Sequence, residues 1–254
     1  MDNLKFDDSI IKDFIKMNKE SLIDLKKDYT SQEIASCIDH TILKPEAKPD
    51  DVINICNEAI ENKFASVCVN SCYAPLVTSL LVGSDVKTCV VVGFPLGAMS
   101  TASKVAETEY AIKDGANEID MVINIGMLKQ GEYEYVLNDI RSVSNIAHAG
   151  NAICKVIIET SLLSNEEKVK ACLISKTAKA DFVKTSTGFN GGGATVEDIS
   201  LMKRVVGNEL KVKASGGVRT REDAVNMLNA GANRIGASAG VKIVANEISN
   251  DGGY

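Results

Sequence analysis

Residues 181–217 read DFVKTSTGFNGGGATVEDISLMKRVVGNELKVKASGG. Two short apolar runs, Phe182–Thr185 and Lys211–Ser215, flank a glycine cluster and the segment Val196–Val206, where apolar residues recur at helical spacing. Strand, helix and strand in this length make a βαβ unit with parallel strands. Lys184 and Lys213, 29 residues apart, sit at the polar ends of the two runs. A lysine closing an apolar strand is poorly placed for packing and well placed for chemistry. Burial or a second cation lowers an amine's pKa and leaves it partly neutral, hence nucleophilic. If the two runs are neighbours, each lysine is the other's perturbing cation.

Outward from this unit the rhythm repeats. β-rich runs stand at Ile38–Leu43, Ser66–Asn70, Thr88–Gly93, Glu118–Asn124, Cys154–Glu159 and Asn233–Ala237, besides the two already named. Helical patterns lie between them at Asp51–Asn62, Ala102–Gly115, Tyr133–Ala149, Glu166–Lys179 and Glu222–Gly231. Eight strands alternating with helices predict a parallel sheet closed into a (β/α)8 barrel. A doubly wound open sheet is the rival, but Thr41-Ile-Leu-Lys-Pro after the first run has neither a dinucleotide nor a P-loop signature. Before the barrel, Ile10, Ile11, Phe14, Ile15, Leu22 and Leu25 recur at helical spacing among charges and predict one or two amphipathic helices. The expected organisation is a short N-terminal helical extension (1–30), one barrel domain (31–249) and a flexible tail (250–254).

The chain has 254 residues, 45% hydrophobic and 24% charged, enough to bury a sizeable core. Its net charge of -6 argues against nucleic acid or an anionic membrane as the main partner. Seven cysteines without a CxxC pair suit reduced thiols better than a disulfide frame. Only His40 and His148 are present, which leaves little for a histidine metal site. The charged N-terminus is unlike a signal peptide, and no apolar run has the length of a membrane span. The expectation is a soluble cytoplasmic protein.

Side chains alternate faces along a strand, so each run divides in two. Ile119, Met121 and Ile123 oppose Glu118, Asp120, Val122 and Asn124, and Val67 and Val69 oppose Ser66, Cys68 and Asn70. The same division puts Asp39, Thr41, Cys68, Asp120, Lys155, Glu159, Lys184 and Lys213 inside the barrel. So many ionisable groups in a lumen are costly unless they pair or serve function. Lys155, Glu159 and Glu118 suit a structural ion-pair plug. Asp120, Lys184 and Lys213 lie toward the C-terminal ends of their runs, where barrel enzymes do their chemistry.

Equivalent positions on adjacent strands are about 4.8 Å apart. Two amines at roughly 5–6 Å and an effective dielectric near 20 repel by about 3 kcal/mol, or about two pKa units. A lysine so lowered adds to an aldehyde to give a protonated imine, an electron sink for a neighbouring carbanion. Asp120 suits the accompanying proton transfers. Parity does not decide which lysine attacks. Glycines follow the last three strands: Gly188 with Gly191–Gly193, Gly216 with Gly217, and Gly236 before Ser238. Their freed N–H groups, with a helix beginning at Ser238, predict a phosphate cup in the usual place for a barrel. Arg219 is either a rim cation or a helix-start charge.

Asp39-His-Thr-Ile-Leu-Lys-Pro, Glu118-Ile-Asp-Met-Val-Ile-Asn, Lys155-Val-Ile-Ile-Glu-Thr, Phe182-Val-Lys-Thr-Ser-Thr-Gly-Phe, Val212-Lys-Ala-Ser-Gly-Gly-Val-Arg-Thr and Arg234-Ile-Gly-Ala-Ser-Ala-Gly together resemble the deoxyribose-phosphate aldolases, over about residues 31 to 249. The resemblance implies a TIM-barrel, class I aldolase using no metal and no cofactor. It would interconvert 2-deoxy-D-ribose 5-phosphate with D-glyceraldehyde 3-phosphate and acetaldehyde in deoxyribose phosphate catabolism. It implies that Lys184 forms the imine, Lys213 is the perturbing cation and Asp120 moves protons. Cys68 matches a site-lining cysteine, and Asp39 and Thr41 fall where the family contacts hydroxyls or supports the lysines. Thr187, Gly188, Gly216, Gly217, Gly236 and Ser238 would bind substrate, chiefly its phosphate. Ala239 stands where some members carry a second serine, which leaves that phosphate contact to backbone. The terminal Tyr254 matches relatives in which such a tyrosine assists proton transfer. A homo-oligomer, dimer or tetramer, is implied as well. Other readings are a different imine-forming aldolase, which for a bisphosphate would need a second anion site, and a non-catalytic phosphosugar-binding protein.

Overall fold

The computed structural model describes residues 6–245. Helix α1 (Asp8–Glu20) is capped by Asp7, whose carboxylate accepts from Ser9 N at 2.9 Å, and helix α2 (Ser31–Ala35) starts from a Thr30–Glu33 capping box. The alternation then runs β1 (Ile38–Thr41), α3 (Pro49–Asn62), β2 (Ser66–Val69), α4 (Ala74–Leu80), β3 (Lys87–Val92), α5 (Thr101–Lys113) and β4 (Glu118–Val122). It continues with α6 (Ile125–Gln130), α7 (Tyr133–Ala149), β5 (Ile153–Ile157), α8 (Asn165–Thr177), β6 (Phe182–Lys184) and α9 (Val196–Val206). The last elements are β7 (Lys211–Ser215), α10 (Arg221–Asn229), β8 (Arg234–Ala237) and α11 (Gly240–Ala245).

The strands pair in parallel in sequence order and β1 closes on β8, so the barrel predicted from the alternation is present. The outward strand positions, such as Val67, Val90, Ile119, Val156, Val183, Val212 and Ile235, are fully buried under the helices and form the main core with them. At about 25 cal/mol per Å² of apolar surface, each such aliphatic side chain contributes about 2 kcal/mol relative to exposure.

Three sequence expectations need correction. Leu22 and Leu25 are not helical: segment 21–30 is irregular and is tied down by Ile23 N to Ser200 Oγ at 2.8 Å and Leu25 N to Asn229 O at 3.0 Å. Helices α4 and α6 were not foreseen, because at 7 and 6 residues they are too short to display a 3.6-residue period. The last helix begins at Gly240, two residues after Ser238. Helix α1 packs on α8 and α9, with Asn18 Nδ2 donating to Glu197 O at 3.0 Å and Ser200 Oγ to Asn18 Oδ1 at 2.6 Å. The tail 250–254 with Tyr254, and residues 246–249 of the expected barrel domain, lie outside the described residues.

Candidate active site

Strand register sorts the lumen into layers. Asp39 pairs with Ser66 and Gly236, Cys89 with Cys68 and Glu118, Lys155 with Asp120 and Phe182, and Lys213 with Lys184 and Arg234. Asp39, Cys89, Lys155 and Lys213, from the odd strands, therefore form one layer. Ser66, Glu118, Phe182 and Arg234 lie below it, toward the N-terminal end. Cys68, Asp120, Lys184 and Gly236 lie above it, toward the mouth. Four side chains per layer from alternate strands is the usual filling of such a barrel, normally with branched aliphatics. Here charge takes their place.

Asp120 is the centre. Its Oδ2 accepts from Lys184 Nζ at 2.8 Å and from Lys213 Nζ at 2.7 Å, and its Oδ1 from Lys155 Nζ at 2.8 Å and Cys89 Sγ at 3.2 Å. Lys213 Nζ also lies 2.5 Å from Asp39 Oδ2, and Lys155 Nζ 2.5 Å from Glu118 Oε2. Arg234 donates to Asp39 and Glu118, and Ser66 Oγ donates to Asp39 Oδ1 at 2.7 Å. Four cations, Lys155, Lys184, Lys213 and Arg234, face three carboxylates, Asp39, Glu118 and Asp120. One positive charge is in excess.

The two lysines are register partners on adjacent strands, as the spacing suggested. Their electrostatics differ from expectation. Burial pulls the Lys213 amine down, but the Asp120 and Asp39 carboxylates outweigh it and hold Lys213 above the usual lysine range. Lys155 is raised in the same way, burial being outweighed by Asp120, Cys89 and Glu118. Asp120 Oδ2 lies between the two amines and outweighs the repulsion that the second amine alone would exert. Burial likewise tends to raise Asp120, yet Lys155, Lys184 and Lys213 hold it well below the carboxylate range. Asp39 is lowered by Arg234, Lys213 and Lys155 against the effect of its burial. The Cys68 thiol is lowered chiefly by its hydrogen bond to Cys89, while burial pushes Cys89 up. Cys68 Sγ, Cys89 Sγ and an Asp120 oxygen lie within 4.8 Å of one another, but three ammonium groups already occupy that carboxylate and oppose a further cation.

Above the charged layers the β6 and β7 loops are stitched together. Ala194 N donates to Gly216 O at 2.9 Å, and Thr185 Oγ1 holds both Ser215 N and Ser215 O at 3.0 Å. Gly216, at φ +81° and pressed against Gly193, is a position only glycine fits comfortably. Gly188, Gly216 and Gly217 follow β6 and β7 at this end of the barrel and Ser238, which is exposed, follows β8, whereas Gly236 lies lower, within β8 in the layer of Lys184. A (β/α)8 barrel with a lysine–carboxylate lumen beneath glycine loops has the parts of an imine-forming enzyme for a phosphorylated aldehyde. The model of the DeoC/LacD family aldolases matches residues 34–246. The chain belongs to this family. A deoxyribose-phosphate aldolase of Caldanaerobacter subterraneus subsp. tengcongensis is 58% identical over 221 residues, covering 87% of this chain and 96% of the relative. One from Clostridium tetani is 60% identical over 212 residues, covering 84% and 98%. Among solved structures, the tetrameric deoxyribose phosphate aldolase of Aeropyrum pernix superposes with a TM-score of 0.82 at 31% identity, covering 92% of this chain and 96% of that one.

In this aldolase the residues singled out from sequence do not all converge. Asp39, Cys68, Asp120, Lys184 and Lys213 share the lumen network. Thr41 is buried one layer nearer the mouth, its hydroxyl donating to Asp39 O at 2.8 Å. Glu159 leaves the plug assigned to it: at φ +57° its carboxylate turns to Thr187 N at 3.3 Å and Asn190 Nδ2 at 2.8 Å, and Thr187 Oγ1 also donates to it. Thr187 is thereby a loop anchor. Arg219 is exposed, and its backbone N–H goes to Asp223 Oδ2 at 3.0 Å. Sequence reading missed Arg234 and Cys89. Arg234 shares the parity of Gly236, and Cys89 pairs with Cys68, so the alternation carried both signals.

Proposed function

We propose that the chain reversibly cleaves 2-deoxy-D-ribose 5-phosphate to D-glyceraldehyde 3-phosphate and acetaldehyde through an imine on Lys184. One observation carries the choice of lysine. Lys155 is held by three carboxylates and Lys213 by two, and both are fully buried, whereas Lys184 has Asp120 alone and keeps 3% of its surface exposed. The lysine with the fewest carboxylate partners is the one best able to leave its carboxylate and reach a carbonyl carbon.

Neutral Lys184 Nζ adds to carbon 1 of the open-chain sugar, and the carbinolamine loses water to give the protonated imine. The hydroxyl on carbon 3 then gives up its proton. The bond between carbons 2 and 3 breaks, its electron pair passes into the imine as an enamine, and glyceraldehyde 3-phosphate leaves. Protonation at carbon 2 and hydrolysis release acetaldehyde and restore Lys184. Asp120 and Lys213 carry these protons as a hydrogen-bonded pair. Asp120 loses one of its three cations while Lys184 is neutral, which raises its proton affinity when it is needed. Leu43, Cys68, Cys89 and Val91, with Phe94 against them, give the lumen an apolar wall for the two-carbon unit. The phosphate falls to Gly188, Gly216, Gly217, Gly236 and Ser238.

Homo-oligomer formation is inferred alongside, supported by the tetramer of the Aeropyrum relative. No helix among the described residues is long and apolar enough to cross a membrane, and all seven cysteines are unpaired, which supports a cytoplasmic setting. Borohydride reduction with acetaldehyde, followed by peptide mass mapping, tests the reading. An ethyl group on Lys184 is expected, and an adduct on Lys213 or none at all would overturn it.

A further inference from the structure

Ser215 stands two residues beyond Lys213 on β7, hence on the same inward face and about 6.6 Å nearer the mouth. Ser186 lies two residues past Lys184 in the loop that leaves β6, its Cβ 3.6 Å from where a Cβ on Gly216 would lie. Both are buried, at 0% and 1% exposure, and neither hydroxyl finds a partner among the protein's own groups. This is not slack in the backbone. The amide and carbonyl of Ser215 are both held by Thr185 Oγ1, and Thr185 N is held by Lys213 O at 3.1 Å. Only the hydroxyl of Ser215 is uncommitted. It points to the lumen side of Gly236: a Cβ built on that glycine would lie 2.4 Å from Ser215 Oγ and 3.1 Å from Lys213 Cε. Register pairs Ser215 with Gly236 and places it in the layer directly above Lys184, and Ser186 lies beside Gly216 in the loop after β6.

A buried hydroxyl without a partner is uncommon and destabilising, so two on one wall between an imine lysine and a phosphate cup call for a ligand. Their chemistry narrows it. Serine is neutral and both donates and accepts, which matches another hydroxyl, whereas the glycine N–H groups and the cations already serve anions. We propose that Ser186 and Ser215 receive the hydroxyl that the acceptor aldehyde brings, the one on carbon 4 of the sugar, and so select 2-hydroxy aldehydes as acceptors. This rests on the function proposed above.

The test is aldol addition of acetaldehyde to D-glyceraldehyde 3-phosphate and to 3-oxopropyl phosphate, which lacks that hydroxyl. A site built to bond a hydroxyl discriminates strongly against the analogue without it. Wild type is expected to favour the hydroxylated acceptor in kcat/KM, and the Ser186→Ala/Ser215→Ala double variant to lose about tenfold or more of that preference. The two single variants carry the same comparison if the double variant fails to fold by circular dichroism. Equal losses for both acceptors would indicate a merely structural role and overturn the proposal. So would an unchanged preference, or a lost preference for phosphorylated over unphosphorylated glyceraldehyde, which would put the serines on the phosphate. Failure of the functional reading is distinct, since wild type itself would then show no addition to either acceptor.

Discussion

Lys184 and Lys213 are register partners on adjacent strands, and a single oxygen of Asp120 accepts from both amines, at 2.8 and 2.7 Å. That oxygen makes the pair compatible with burial and couples the proton on one amine to the charge on the other. Asp120→Asn keeps the shape and removes the charge. It should lower kcat by roughly 100- to 10,000-fold, the range of a lost proton-transfer group. It should also lower the urea midpoint, because a buried ion pair broken on one side costs about 3–5 kcal/mol. Activity within tenfold of wild type would remove Asp120 from the proton path.

Lys213→Met tests the charge count. Four cations against three carboxylates leave one proton to give up, and deleting Lys213 balances the cluster. Lys184 then has no second ammonium competing for its Asp120 oxygen and is held more firmly by it. Borohydride trapping of acetaldehyde at Lys184 at neutral pH should fall by roughly 10- to 100-fold, the scale of one unit charge at this separation. Trapping is followed by mass spectrometry, and an unchanged yield would count against Lys213 as the tuning cation.

How much of this was legible depended on the distance over which each feature is written. The barrel was readable because eight strands with helices between them repeat one pattern. Asp39, Cys68, Asp120, Lys184 and Lys213 were readable because strand parity is local. Which charges touch was not, since that depends on the stagger between strands. The stagger sets Asp39 against Lys213 across the β8 position, and a left-handed backbone at Glu159, past the end of β5, turns its carboxylate away to Thr187. The sign of the shift on Lys213 was missed for the same reason: a pairwise estimate between strand neighbours omits the carboxylates that reach in from β1 and β4. The buried serines were equally hidden, because a hydroxyl becomes informative only when its possible partners have been counted.

Stability should depend on pH with a sign fixed by the carboxylates. Asp39 and Asp120 bind protons more weakly in the folded protein than in the unfolded chain. Their contribution is fully present above the ordinary aspartate value near 3.9 and is lost as pH falls below it toward the folded values. Lys213, raised on folding, contributes below the ordinary lysine value near 10.4 and loses that contribution as pH rises beyond it. The urea midpoint should be level between about pH 5 and 9 and fall on both sides. A midpoint that holds steady to pH 3 would show that the lumen ion pairs add nothing to stability.

Gly236→Ala probes the lumen without adding a charge. Gly236 is not in the left-handed region, so alanine brings no backbone strain, and the whole effect is steric. The new methyl would sit 2.4 Å from Ser215 Oγ, 3.1 Å from Lys213 Cε and 3.3 Å from Ser215 Cβ. Ser215 is pinned through its backbone, so its hydroxyl must turn and the Lys213 stem must shift. Overpacking of this kind costs about 1–3 kcal/mol, which a barrel of this size tolerates. Catalysis should suffer more, since moving a reacting group by about 1 Å costs on the order of a hundredfold. The expected result is a folded protein, seen as an unchanged circular dichroism spectrum and a modestly lowered urea midpoint, with kcat/KM for deoxyribose 5-phosphate down by about 10- to 100-fold. Ala237→Gly, one position on and facing the helices, should lower the midpoint and leave kcat/KM within about twofold, because it touches the core and not the lumen. Equal kinetic effects from the two substitutions would mean that the methyl acts through the fold and not through Lys213 and Ser215.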